Sequence, residues 1–186
     1  AVIILIFAFG TLVAAGVPVL IGVASVVTAL ATLYFIAGVY DMSVFTLTLS
    51  TMLGLGLGID YALFFVSRFR EELDAYPPAE AVPRTVATAG RSIFFSGTAV
   101  LIGLSGLLFF PFMFMRSIGV AGVVVVFVSV LAALTLLPAL LGVLGPRINR
   151  LAIRRRSDGA GSAFWSRSAE VVMRHPLAVI LLAAAI

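Results

Sequence analysis

The sequence predicts an all-α fold, a polytopic bundle of transmembrane helices. Hydrophobic residues make up 62% of the 186-residue chain and charged residues only 11%, whereas soluble domains contain roughly 45–50% apolar residues. Four apolar segments are each long enough to cross about 30 Å of hydrocarbon, which needs about 20 helical residues. They lack the alternation of apolar and polar residues that is typical of barrel strands, so helices are expected to satisfy their backbone groups.

The expected spans follow one another along the chain, and their hydrophobic runs set their approximate ends. They are Leu12 to Val39, Phe45 to Val66, Ser92 to Met115 and Ile118 to Leu144. Two further apolar stretches, residues 1–9 and 177–186, are too short to cross a bilayer alone. Because the chain begins with Ala1 and stops within a hydrophobic run, we expect it to be a piece of a longer protein.

The spans are connected by joints of unequal length. Gly10-Thr11 and Tyr40-Asp41-Met42 are short joints, and the third and fourth spans meet at Arg116-Ser117. The joint from Ser67 to Arg91 is longer, and Pro77-Pro78 within it is expected to end a helix.

The chain is expected to have three regions: a transmembrane bundle over residues 1–145, a basic linker over 146–175 and the start of another span over 176–186. In the linker, Arg154, Arg155 and Arg156 are expected to attract anionic lipid headgroups, and this explanation outweighs nucleic-acid binding because no recognisable nucleic-acid module is present. Trp165 belongs to an amphipathic segment that we expect to lie along the membrane interface.

The distribution of arginine predicts the orientation of the bundle. The segments 67–91 and 146–175 contain every arginine of the chain except Arg116. By the positive-inside rule both segments are expected in the cytoplasm, and the joint at Asp41 is expected outside.

Motifs of soluble enzymes are missing from the sequence. The chain has no cysteine, which excludes disulfides and thiolate metal sites. Gly54, Gly56 and Gly58 imitate a dinucleotide fingerprint, but Ile59 follows where the pattern needs another glycine, and no strand precedes them. We therefore interpret the three glycines as helix-packing residues, since small residues four apart let another helix approach the backbone.

Asp60 is the most informative residue, because it lies inside the apolar run from Phe45 to Val66. A charged carboxylate at the centre of a membrane helix costs about 2.5–3.5 kcal/mol on insertion scales, so its presence indicates a function. Both Asp60 and its neighbour Tyr61 are expected to point into a bundle interior, where a carboxyl can bind and release a proton. The alternative is a neutral packing carboxyl that is hydrogen-bonded to a serine or threonine of a neighbouring helix.

Three segments resemble one known family. The segment Gly58-Ile-Asp-Tyr-Ala-Leu-Phe-Phe-Val-Ser-Arg-Phe-Arg-Glu-Glu-Leu73 is similar to the fourth transmembrane helix of the MMPL (mycobacterial membrane protein large) transporters of the resistance–nodulation–division (RND) superfamily. Thr88-Ala-Gly-Arg-Ser-Ile-Phe-Phe-Ser-Gly97 resembles the entry to the family's fifth helix, and Leu134-Thr-Leu-Leu-Pro-Ala-Leu-Leu-Gly142 resembles the end of its sixth.

The resemblance implies a proton-driven secondary transporter, not an enzyme, that exports lipids or other hydrophobic molecules across the cell membrane. Asp60 and Tyr61 would relay protons together with a similar pair in the tenth helix, and Ser96 matches a family serine near the relay. Protons would be the coupling ion, with no other cofactor. The implied partners are membrane lipids, the hydrophobic substrate and the second transmembrane half of the same protein, and the resemblance is compatible with an oligomer.

Two other classes of function share related folds. Protein-translocation accessories also use a proton gradient and keep an intramembrane carboxylate, although the longer motif around Asp60 favours MMPL. Sterol-sensing domains bind lipid without pumping, and Asp60 itself argues against them.

The arginine distribution yields a topological prediction. A cysteine introduced as Asp158→Cys should react with a membrane-impermeant thiol reagent only from the cytoplasmic side, and one introduced as Asp41→Cys only from outside. Three expected crossings separate the two positions, and an odd number places them on opposite sides of the membrane. Labelling of both cysteines from the same side would show that a span has been miscounted.

Overall fold

The structure is a computed structural model that describes residues 11–149 together with Glu170 and Met173. The chain divides into two compact units, Ala1–Ala152 and Ile153–Ile186. In the second unit the two described residues are helical and exposed. The predicted interfacial segment with Arg154, Arg155, Arg156 and Trp165, and the two apolar ends of the chain, lie outside the described residues.

Residues 11–149 form six α-helices: α1 Leu12–Ala37, α2 Phe45–Ala75, α3 Pro78–Thr85, α4 Arg91–Ser105, α5 Met113–Leu131 and α6 Leu137–Leu144. Short π-helical segments, Val86–Gly90 and Ala132–Leu136, join α3 to α4 and α5 to α6, and 3-10 turns follow α4 and α6. Four helical stretches are long and apolar enough to cross a membrane: Leu12–Ala37, Phe45–Ala75, Pro78–Phe109 and Met113–Ile148. The predicted all-α membrane bundle is therefore confirmed for this part of the chain.

The four stretches alternate in direction between two ends of the bundle. At the end that contains Asp41, here called the Asp41 end, the Ser43 backbone N–H donates to Ser117 Oγ at 3.0 Å. At the opposite end, here called the Arg91 end, Thr11 Oγ donates to the Ile148 carbonyl at 3.2 Å. Thr11 also caps α1 by accepting from the Ala14 N–H.

The second span is longer than its apolar run predicts. α2 continues from Val66 to Ala75, through residues that we expected to begin a joint. Arg68 explains the extension, because it pairs with Glu71 at 2.8 Å and with Glu72 at 2.6 Å, one turn further along the same helix. The predicted break at the proline pair is confirmed, since α2 ends before Pro77 and Pro78 begins α3.

The break between the third and fourth spans was predicted in the wrong place. The helix of the fourth span begins at Met113, so Arg116 and Ser117 lie in its first turns. Pro111 is the physical cause of the shift, because proline disfavours helical geometry in the residue before it. Phe110 is accordingly extended, with φ −74° and ψ 140°.

Helices α1, α2 and α5 pack against one another as the core of the bundle. At Gly58 the contact between α1 and α2 is so close that an added Cβ would lie 2.8 Å from Gly22 Cα. An added Cβ on Gly54 would lie 2.7 Å from Val26 Cγ2 and 3.3 Å from Val125 Cγ1. Gly56 is not a packing residue within residues 11–149, because it is exposed on the opposite face of α2 and its Cβ would contact nothing within 4 Å.

The two π-helical segments lie at one level of the bundle near the Arg91 end. A Cβ added to Gly90 would lie 3.4 Å from Leu134 Cδ2 and 3.8 Å from Phe65 Cε2. The segments therefore contact each other and the buried ring of Phe65, one turn along α2 from Tyr61.

The glycine contacts predict opposite effects of two alanine substitutions on α2. Gly58→Ala should destabilise the protein by about 1–3 kcal/mol, because the new methyl group overlaps the α1 backbone. Gly56→Ala is the matched control and should leave stability unchanged or raise it by up to about 1 kcal/mol through helix propensity. Thermal unfolding in detergent micelles measures both effects. Equal melting temperatures for the two variants would contradict the close approach at Gly58.

Candidate functional site

Asp60 is the middle residue of α2, with 15 residues on either side between Phe45 and Ala75. At 1.5 Å per residue it lies about 22 Å from each end of the helix. Its side chain is exposed and shares a face of α2 with exposed Gly56, Phe64 and Ser67. Asp60 therefore does not point into the interior formed by residues 11–149, which differs from our expectation.

Tyr61 points the other way, into the core. Its exposed fraction is 8%, and it belongs to the apolar cluster that includes Ile93 and Val130. The Tyr61 hydroxyl oxygen lies 3.6 Å from the position that a Cβ on Gly97 would occupy. The same Cβ would overlap Val130 Cγ2, so only glycine at position 97 leaves room for this packing.

Ser96 precedes Gly97 on α4, but its side chain is exposed. The structure therefore places Gly97, and not Ser96, against Tyr61. Sequence reasoning missed this contact. Its signal is the spacing of Gly90, Ile93 and Gly97, which lie three and four residues apart and form the buried face of that helical stretch.

An ion-pair cluster joins the Arg91 end of α2 to the helical stretch before α4. Arg68 pairs with Glu72, whose side chain is buried, and the Arg68 Nε–H donates to Thr88 Oγ at 3.4 Å. Nearby, the Arg84 guanidinium lies 3.8 Å from the centre of the Tyr76 ring. These contacts join the end of α2 to α3 and to the π-helical segment Val86–Gly90, which precedes α4 and Gly97.

Within residues 11–149 and at the two described positions beyond them, no three acidic, histidine or cysteine side chains lie close enough together to hold a metal ion. In the membrane-spanning part of α2 the polar side chains are Asp60, Tyr61 and the hydroxyls of serine and threonine.

Comparison with known proteins identifies the family. The sequence profile of the MMPL family matches residues 1–179, which include all three segments that resemble its helices. The chain belongs to the MMPL family.

Named relatives of this MMPL chain include exporters. It is 46% identical over 97% of its length to a membrane protein of Streptomyces coelicolor. It is 39% identical over 90% of its length to the trehalose monomycolate exporter MmpL3 of Mycobacterium tuberculosis. It is 35% identical over 98% of its length to MmpL11 of Mycolicibacterium smegmatis, an exporter of mycolic acid-containing lipids. The chain covers 25%, 18% and 20% of these three relatives, respectively.

Proposed function

We propose that this chain is the proton-coupling part of an exporter of lipids or other hydrophobic molecules. In this proposal the Asp60 carboxyl binds and releases protons as they cross the membrane, and Tyr61 fixes the geometry of the relay. The energy comes from the proton-motive force, since one elementary charge that crosses the membrane releases about 2.3 kcal/mol per 100 mV.

The position of Asp60 carries the proposal. Its exposed carboxyl lies inside the apolar run of α2, about 12 Å along the helix axis from Arg68, and within residues 11–149 this face of α2 is not covered by the other core helices. A carboxylate that faced lipid at this depth would be strongly destabilising, so intramembrane carboxyls face protein or a water-filled cavity. We infer that another part of the full-length transporter, its second transmembrane half, covers the Asp60 face.

The opposite orientations of the two side chains support a division of roles. The buried Tyr61 ring anchors its turn of α2 to α4 and α5 through Gly97 and Val130. Adjacent helical residues are separated by about 100° of rotation, so the same turn presents Asp60 to the outside of this bundle. Ser96 lies on the exposed side of α4 and is proposed as a secondary member of the relay.

The remaining functional features follow from the same proposal. The relatives that are named lipid exporters suggest a long-chain lipid as cargo. The protein would lie in the cell membrane with segments 67–91 and 146–175 in the cytoplasm, and it would need no cofactor other than protons. The Arg154–Arg156 cluster and Trp165 would contact lipid headgroups.

Replacing the carboxyl tests the proposal directly. In the full-length protein, Asp60→Asn should fold and insert normally but lose export, because an amide cannot carry the proton. The expected loss is at least about 100-fold, the scale on which proton-transferring groups contribute. The assay is movement of a fluorescent long-chain glycolipid in proteoliposomes with an imposed pH gradient. Asp41→Asn at the exposed joint is the matched control and should export normally. Normal export by Asp60→Asn would disprove the relay.

Removing only the tyrosine hydroxyl tests the second role. Tyr61→Phe keeps the ring in its buried site, so the melting temperature should change little while export falls several-fold. Tyr34→Phe is the control, because Tyr34 is 77% exposed and lies near the Asp41 end. If Tyr61→Phe exports at the wild-type rate, Tyr61 serves only as a packing ring.

A further inference from the structure

Four buried hydroxyl groups in the core lack a hydrogen-bond partner within residues 11–149. They belong to Ser25 on α1, Thr46 and Ser50 on α2, and Ser129 on α5, the three helices that form the core. Buried polar atoms in folded proteins nearly always have a protein or water partner. Four such groups in one interface therefore require an explanation.

Several other hydroxyls of the spanning helices behave differently. Thr28, Thr32, Thr51, Thr98 and Thr135 are exposed or half-buried, and each donates to the carbonyl four residues earlier in its own helix. This bond is the usual way for a serine or threonine to be satisfied inside a membrane helix. The four inward-facing hydroxyls make no such bond. Neither their own helices nor the neighbouring described residues supply a partner.

Contacts between the helices give the order of the four groups along the bundle. α2 and α5 run in the same direction, because Ser43 bonds to Ser117 and Gly54 packs on Val125. This register places Ser129 beside the turn of Gly58. α1 runs in the opposite direction, with Val26 at Gly54 and Gly22 at Gly58, so Ser25 lies near the level of Leu55.

From the Asp41 end the order is therefore Thr46, Ser50, Ser25 and Ser129, and the Asp60–Tyr61 pair comes next. Thr46 and Ser50 are one helical turn apart, about 6 Å along the axis. One water molecule that bonds to both of two hydroxyls spans about 5.5 Å, so the spacing suits bridging water. Between the outer pair, Thr46 and Ser50, and the inner pair, Ser25 and Ser129, the valines Val26 and Val125 pack closely on Gly54.

We propose that these four hydroxyls bind water inside the core and form the route by which protons pass between the Asp41 end and the buried Tyr61, whose turn of α2 presents Asp60 on the outer face. The claim that water binds here is argued from the hydroxyls alone. The claim that this water carries protons rests on the proposed proton relay, so the two claims are tested separately.

The water sites are tested by thiol reactivity, since residues 1–186 contain no cysteine. Ser50→Cys and Ser129→Cys each exchange one oxygen for sulfur, and silver ion is a probe small enough to follow water. The full-length protein is used in membrane vesicles, with any cysteine outside residues 1–186 replaced. The controls are Ala15→Cys and Ala133→Cys, which are buried in the apolar cluster nearer the Arg91 end, away from the four hydroxyls.

The serine-derived thiols should react with silver at least about tenfold faster than the controls, because the reactive thiolate forms only where water solvates it. Equal rates for the two sets would overturn the water sites. If Ser50→Cys fails to fold, Thr46→Cys replaces it in the comparison.

The transport role is tested with Ser50→Ala and Ser129→Ala in the lipid export assay. Each should lower the export rate by about tenfold, since a proton-transfer step loses one relay group. The control is Thr28→Ala, which removes an exposed hydroxyl bonded to its own helix and should export normally. Normal export by both serine variants would overturn the route. If Asp60→Asn exports normally, the relay fails, and silver reactivity still decides whether the water sites exist.

Discussion

The close contact between α1 and α2 at Gly22 and Gly58 is the constraint on which the rest of the core depends. With a hypothetical Cβ only 2.8 Å from the opposing Cα, the two backbones are nearly in contact. Water-driven burial contributes little between helices inside lipid, so such van der Waals contact is a main source of their association. It also fixes which residues of α2 face inward. Gly54, Gly58, Tyr61 and Phe65 face the core, and Asp60 consequently faces outward.

This arrangement lets one turn of α2 serve two surfaces. Tyr61 is packed against α4 and α5, so the turn that carries it has little freedom to move without disturbing Val130 and Gly97. Asp60 is presented from the same turn to the outer surface of the bundle. In a proton-coupled transporter, a change of charge at Asp60 that moved this turn of α2 would also move the adjacent Tyr61 and so change the packing of the core.

The sequence predicted the elements better than it predicted their contacts. Long apolar runs identified the four spans because hydrocarbon imposes a minimum length on them. The ends were less accurate, since the Arg68 ion pairs extend α2 and Pro111 ends the third span before Arg116. Asp60 and Tyr61 could be selected as unusual residues within an apolar helix, and the spacing of Gly54 and Gly58 indicated close packing. The spacing of Gly90, Ile93 and Gly97 indicated a buried helix face, but it could not show that Gly97 packs against Tyr61, because that contact exists only when α4 is placed beside α2.

The two π-helical segments change how positions along the longer spans should be compared. A π turn contains one residue more than an α turn, so the side chains beyond it are rotated by about 100° relative to an uninterrupted α-helix. The π-helical segment Val86–Gly90 lies between Arg84 and Gly97. If α-helical spacing is counted from Arg84 across this segment, it assigns Gly97 to the wrong face of the helix. The stretch Ala132–Leu136 does the same between Val130 and Leu137. A scanning experiment across either segment would thus show two periodic patterns offset by one residue, and a helical wheel drawn through the whole span would mix lipid-facing with core-facing positions.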